Sequence, residues 1–178
     1  EEEIHGAVEE AHRWGRSVAV HAQSYDAVKF ALRAGADTIE HGTRMDDEAI
    51  DLFRRSSSFL VPTLCTLFSV RELGEKLNLA AKQREEMAIN EPLWLESLKR
   101  ARDAGIPVLV TVNDDTRDQC FDAASAVVAS LGEPDCPAQV MVSPGFEFDY
   151  VDLEVVRRIS AAWRERCVKT RIWPMAST

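Results

Sequence analysis

One short pattern recurs three times along the chain and limits what it can become: the end of a helix, a glycine, then a short apolar strand. It appears as Ala11-His12-Arg13-Trp14-Gly15-Arg16-Ser17-Val18-Ala19-Val20-His21, as Leu32-Arg33-Ala34-Gly35-Ala36-Asp37-Thr38-Ile39-Glu40-His41, and as Arg102-Asp103-Ala104-Gly105-Ile106-Pro107-Val108-Leu109-Val110-Thr111-Val112. Glycine just past a helix enters the left-handed region without a Cβ clash, and runs of Val, Ile and Thr suit a strand buried on both faces. Each copy is therefore the αβ half of a βαβ unit. Parallel strands need a crossover between them, so repeated units of this kind predict an α/β fold with a parallel sheet.

Between the strands, Ala27, Phe30, Ala31 and Ala34 fall at helical spacing, as do Ala49, Ile50 and Phe53 in a segment opened by the acidic Asp46-Asp47-Glu48. A further strand is predicted over Ser58–Thr63, its end again about 20 residues after His41, the spacing of short-looped βα units. From Ser69 to Ala104 the chain is polar and helix-prone, broken by Gly74 and by Glu91-Pro92, and two or three helices are expected there as a candidate lid. Beyond Asp115 the pattern predicts a helix over Gln119–Leu131, a short strand over Gln139–Val142, a turn at Pro144-Gly145 and a helix over Val151–Cys167. With 178 residues the chain fits a single domain and falls short of the roughly 250 of a complete (β/α)8 barrel.

Function classes narrow on charge. Twenty-one Lys and Arg against 30 Asp and Glu leave a formal charge of −9, which argues against nucleic acid, whose binding depends on neutralising phosphates. No apolar run approaches the roughly 20 residues of a membrane span, and Glu1-Glu2-Glu3-Ile4 is unlike a signal peptide, so a cytoplasmic protein is expected. Cys65, Cys120, Cys136 and Cys167 form no CxxC pair and are expected to be reduced.

The residues that could carry chemistry stand at strand ends. In parallel α/β folds ligands and catalytic groups gather at the carboxyl edge of the sheet. Two equivalent strands end in His21 and His41, and a third runs into Asn113-Asp114-Asp115. Two imidazoles and a carboxylate at one edge suit zinc, iron or manganese, with the aspartate also able to take a proton from activated water. The plainer alternative makes each histidine a polar strand cap and Asn-Asp-Asp a turn. His5 and His12 read as structural or solvated residues on the first helix, and Cys65 as a buried inert thiol.

Four stretches carry a resemblance: Val18-Ala19-Val20-His21-Ala22; Ala34-Gly35-Ala36-Asp37-Thr38-Ile39-Glu40-His41-Gly42-Thr43; Met45-Asp46-Asp47-Glu48-Ala49-Ile50; and Phe59-Leu60-Val61-Pro62-Thr63-Leu64. Over about residues 5 to 112 the chain resembles the amidohydrolase superfamily, in its imidazolonepropionase-like and Xaa-Pro dipeptidase branch. The resemblance implies a distorted (β/α)8 barrel with one or two divalent metals, usually zinc, and hydrolysis of C–N bonds by metal-activated water. It implies His21 and His41 as the fifth- and sixth-strand ligands and Asp114 as the eighth-strand ligand and proton shuttle, with Asn113 and Asp115 as alternatives at that strand end. Gln23 and Thr43, just beyond the strand ends, would face substrate.

The first-strand His-x-His and the fourth-strand lysine of that family have no counterpart here. The expectation is therefore a partial TIM (β/α)8-type barrel: about four parallel strands over residues 5–115, followed by a diverged helical tail over 116–178. Its substrates would be small amides such as dipeptides or N-acyl amino acids. Unpaired sheet edges predict a homo-oligomer or association with a missing barrel half. The rival expectation is a catalytically inactive remnant or a binding module.

Overall fold

A computed structural model describes residues 1–112, 114, 117, 118, 124–133 and 135–170. Expectations resting on Asn113, Asp115 and the side chain of Cys65 lie outside the described residues. The chain divides into two compact units, Glu1–Ala101 and Arg102–Thr178.

The first unit alternates α1 (Glu2–Arg13), β1 (Ala19–Ala22), α2 (Tyr25–Ala34), β2 (Thr38–His41), α3 (Asp47–Arg55) and β3 (Phe59–Val61), then adds α4 (Cys65–Leu73) and α5, which begins at Ala81 and runs to Asp103. The strands form a parallel sheet in the order β1-β2-β3. The repeated glycines do what their spacing implies: Gly15, Gly35 and Gly105 have φ of +62°, +82° and +73°, a conformation side chains rarely adopt. Ser24 caps α2 by accepting from Ala27 N–H, and Asp46 caps α3 by accepting from Ala49 N–H. Each such cap is worth about 0.5–2 kcal/mol.

Burial is one-sided. Ile39 and Ala22 are fully buried, as are Val28, Ala31, Ala49 and Phe53 on α2 and α3. His21 and Val61 are exposed, so these strands are not buried on both faces as the apolar runs suggest. Asp37 pins the amino-terminal edge of the sheet. Its carboxylate accepts from Val18 N–H at 2.8 Å and lies 2.8 Å from His12 Nε2, while its carbonyl accepts from Phe59 N–H. His12 is thus structural, as expected.

Of the two breaks the sequence suggests, the one at Gly74 is present, where that residue caps α4 and Asn78 beyond it takes a positive φ, whereas α5 continues through Pro92. Proline removes one helical hydrogen bond. Contacts along the rest of α5 offset that loss: Trp94, Ser97 and Ala101 are buried.

In the second unit β4 (Leu109–Thr111), β5 (Ala126–Ser130) and β6 (Gln139–Val142) form a sheet in that order, parallel between β4 and β5 and antiparallel between β5 and β6. Helix α6 (Leu153–Thr170) packs Val155 and Ile159 against Ala126. The strand at 139–142 and the last helix match expectation. The helix expected over Gln119–Leu131 is replaced, where described, by β5. A short apolar run reads equally as helix or strand, and β-branched Val127 and Val128, both buried, favour the pleated sheet. Among the described residues no helix is long and apolar enough to cross a membrane.

Candidate functional site

The carboxyl edge of the first sheet brings His21 and His41 together. His21 aligns with Glu40, and Ala22 aligns with His41, so regular pleating would put the two histidines on opposite faces. His41 breaks the alternation with φ +71°. Its Nε2 then lies 2.8 Å from His21 Nδ1, with the rings edge to face and 4.4 Å between centroids. Gly42 follows at φ +57°, where a Cβ would stand 2.5 Å from Leu60 Cδ1. The turn therefore depends on glycine for its conformation, and a Cβ would also push the end of the Leu60 side chain aside.

Thr63, two residues past β3, is the counterpart of the histidines at the third strand end. It too has a positive φ, +48°, and its Oγ1 lies 2.6 Å from His41 Nδ1. A non-glycine residue held in this region costs about 1–3 kcal/mol, and here two such residues touch. Both ring nitrogens of His41 are thereby engaged. Trp94 of α5 meets the His41 ring edge to face at 5.7 Å. Burial, and next the facing His21, push the His41 imidazole below its usual value, with Glu40 opposing. Near pH 7 His41 is neutral and carries a lone pair.

Ser97, one turn beyond Trp94, is buried and ties α5 to the loop after β2. Its hydroxyl donates to Thr43 C=O and accepts from Met45 N–H, each at 2.9 Å. Thr43 is buried, and among the described residues its Oγ1 has no hydrogen-bond partner; the same holds for Trp94 Nε1. Gln23, just after β1, is exposed. Asp114 belongs to the second unit, where its carboxylate is 93% exposed and pairs with Arg117. Roles for Thr63, Trp94 and Ser97 are absent from the sequence reading. Only Thr63 carried a signal, its spacing of two βα units from His21.

Two facing imidazoles suit a divalent metal such as zinc, which would bind through His21 Nδ1 and His41 Nε2. Nitrogens on one zinc at roughly 2.0–2.1 Å in tetrahedral geometry stand about 3.3 Å apart, so the hydrogen-bonded pair must part by about 0.5 Å. Among the described residues no group of three or more His, Cys, Asp or Glu gathers to complete a site. The nearby Glu40 carboxylate is held by the Thr38 hydroxyl at 2.7 Å. The donor chemistry fits a metal, and the ligand set is partial.

No family model matches the chain. An uncharacterized protein of Mycobacterium tuberculosis is 33% identical over 108 residues, and so is one of Mycobacterium bovis. That match spans 59% of this chain and 28% of each relative. Among solved structures, a Xaa-Pro dipeptidase with methionine bound in its active site is 34% identical with a TM-score of 0.53, covering 58% of this chain and 26% of the dipeptidase. An amidohydrolase is 35% identical with a TM-score of 0.54, over 58% and 25%. A prolidase complexed with N-methylphosphonate-L-proline is 32% identical with a TM-score of 0.55, over 58% and 26%. The chain spans about a quarter of the length of the proteins it matches, and over 58% of its own length it is similar in fold to part of the amidohydrolase and prolidase structures.

Proposed function

We propose that the chain is part of a metal-dependent hydrolase of amidohydrolase type, acting on amide or peptide bonds of small substrates such as dipeptides or N-acyl amino acids. The observation that carries this reading is the convergence of His21 Nδ1 and His41 Nε2 at the sheet's carboxyl edge, in a chain similar over 58% of its length to a prolidase structure. In this reading His21 and His41 hold the metal, most simply zinc. Gln23 and Thr43 lie toward substrate. When bound, the ion would supply Lewis acidity toward an amide carbonyl and lower the pKa of water. The chain's own residues do the rest. Neutral His41 offers its lone pair, Thr63 and Trp94 hold its ring, and Ser97 fixes the loop that follows.

Strand β1 pairs on one side only among the described strands, which supports self-association or a missing barrel half as its other neighbour. A second reading, an inactive remnant or binding module, is favoured by the absence of a third ligand beside the histidines among the described residues. A hydrolysis assay with zinc on Xaa-Pro dipeptides and N-acetyl amino acids separates the two. Product formation that disappears in a His21→Ala, His41→Ala variant supports the hydrolase. Zinc bound without turnover of any of these substrates assigns the chain to the second reading.

A further inference from the structure

We infer that Thr63 is a positioning residue for the histidine pair: its hydroxyl oxygen accepts the Nδ1 proton of His41 and fixes the tautomer whose Nε2 carries the lone pair. This deepens the reading of the site as a metal centre and rests on it. A neutral imidazole has one proton and two nitrogens, and the bond made by one nitrogen sets what the other can do. In His41 both are occupied, Nδ1 by Thr63 Oγ1 at 2.6 Å and Nε2 by His21 Nδ1 at 2.8 Å. Two proton arrangements satisfy these contacts. In one, His41 Nδ1–H donates to Thr63 and His21 Nδ1–H donates to His41 Nε2. In the other, the Thr63 hydroxyl donates to His41 Nδ1 and His41 Nε2–H donates to His21. Only the first leaves His41 Nε2 with its electron pair; a cation shared with His21 then displaces the proton from His21 Nδ1, which passes to the other nitrogen of that ring.

The local backbone also marks the hydroxyl as the feature in use. Thr63 is β-branched and sits at φ +48°, a conformation such residues avoid, and it does so where its oxygen meets His41, itself at φ +71°. Valine has the same shape without the hydrogen bond. Trp94, against the His41 ring, holds the ring plane on a further side. Hydrogen-bonded partners of this kind orient ligating histidines and raise their basicity, and their loss typically weakens metal binding about 10–100-fold.

The test is long-range 1H–15N correlation of the imidazole nitrogens in the metal-free protein near pH 7.5. His41 is picked out from the four histidines by its loss in His41→Ala. The expected spectrum shows His41 protonated at Nδ1 and not at Nε2. Thr63→Val should shift it toward the other tautomer and weaken zinc binding about 10–100-fold, and Thr63→Ser should restore both. A wild-type His41 protonated at Nε2 overturns the inference without need of a folded variant, as does a Thr63→Val protein with unchanged tautomer. Failure of the wild type to bind zinc overturns the metal reading instead, and the nitrogen shifts still decide the tautomer on their own.

Discussion

His21 Nδ1 and His41 Nε2 stand 2.8 Å apart although the β1–β2 register assigns the two residues to opposite faces of the sheet. The left-handed backbone at His41 reconciles the two facts, and Gly42 makes it possible. Gly42→Ala should therefore loosen the pair as well as the fold. A Cβ there meets the end of the Leu60 side chain at 2.5 Å, in a conformation alanine resists, so a loss of about 1–3 kcal/mol is expected in urea unfolding. Zinc affinity should fall with it.

Ser97→Ala leaves Met45 N–H and Thr43 C=O without the buried hydroxyl that joins them. A loss of about 1–3 kcal/mol is expected, seen as a lower midpoint in thermal unfolding. Trp94 shares the same helix, so its fluorescence should report a looser α5 over the site.

Asp37→Asn is expected to act on the opposite edge of the sheet. It weakens the charge-assisted bonds to Val18 N–H and His12 and should cost about 1–2 kcal/mol in chemical denaturation. Zinc affinity should stay within about two-fold, because sites without shared partners act nearly independently.

These outcomes separate what was legible in the residues from what was not. The glycines at 15, 35 and 105 announced their helix ends, because only a residue without Cβ sits easily at the φ each adopts. The strand ends at His21 and His41 followed from that spacing. Their contact did not, since period-two alternation carries no sign of a left-handed residue at position 41. Trp94 and Ser97 act on the loop after β2 from about 50 residues away, and a contact at that range is invisible to local pattern. Strand β5 was misread because the short apolar run Ala126–Ala129 fits either period.

Acid should unfold the first unit partly through Asp46. Partial burial alone would raise its carboxyl, but the Ala49 N–H and the Lys29 ammonium outweigh it and hold the group below its ordinary value. The unfolded chain therefore binds more protons, and stability is full above about pH 4 and lost as pH falls through the lower folded value. Asp46→Asn should flatten the stability curve over that window by lowering stability at pH 7 to 8, where the carboxylate's bonds to Ala49 N–H and the Lys29 ammonium are otherwise in place. Unfolding midpoints recorded from pH 3 to 8 test this.

Whether the histidine pair holds a metal is answered most directly by calorimetric titration of zinc into metal-stripped protein, beside the His21→Ala, His41→Ala variant. Binding at micromolar or tighter affinity, lost in the variant, is the expected result. Equal binding by both proteins, or none by the wild type, would contradict a metal centre at the carboxyl edge of the first sheet.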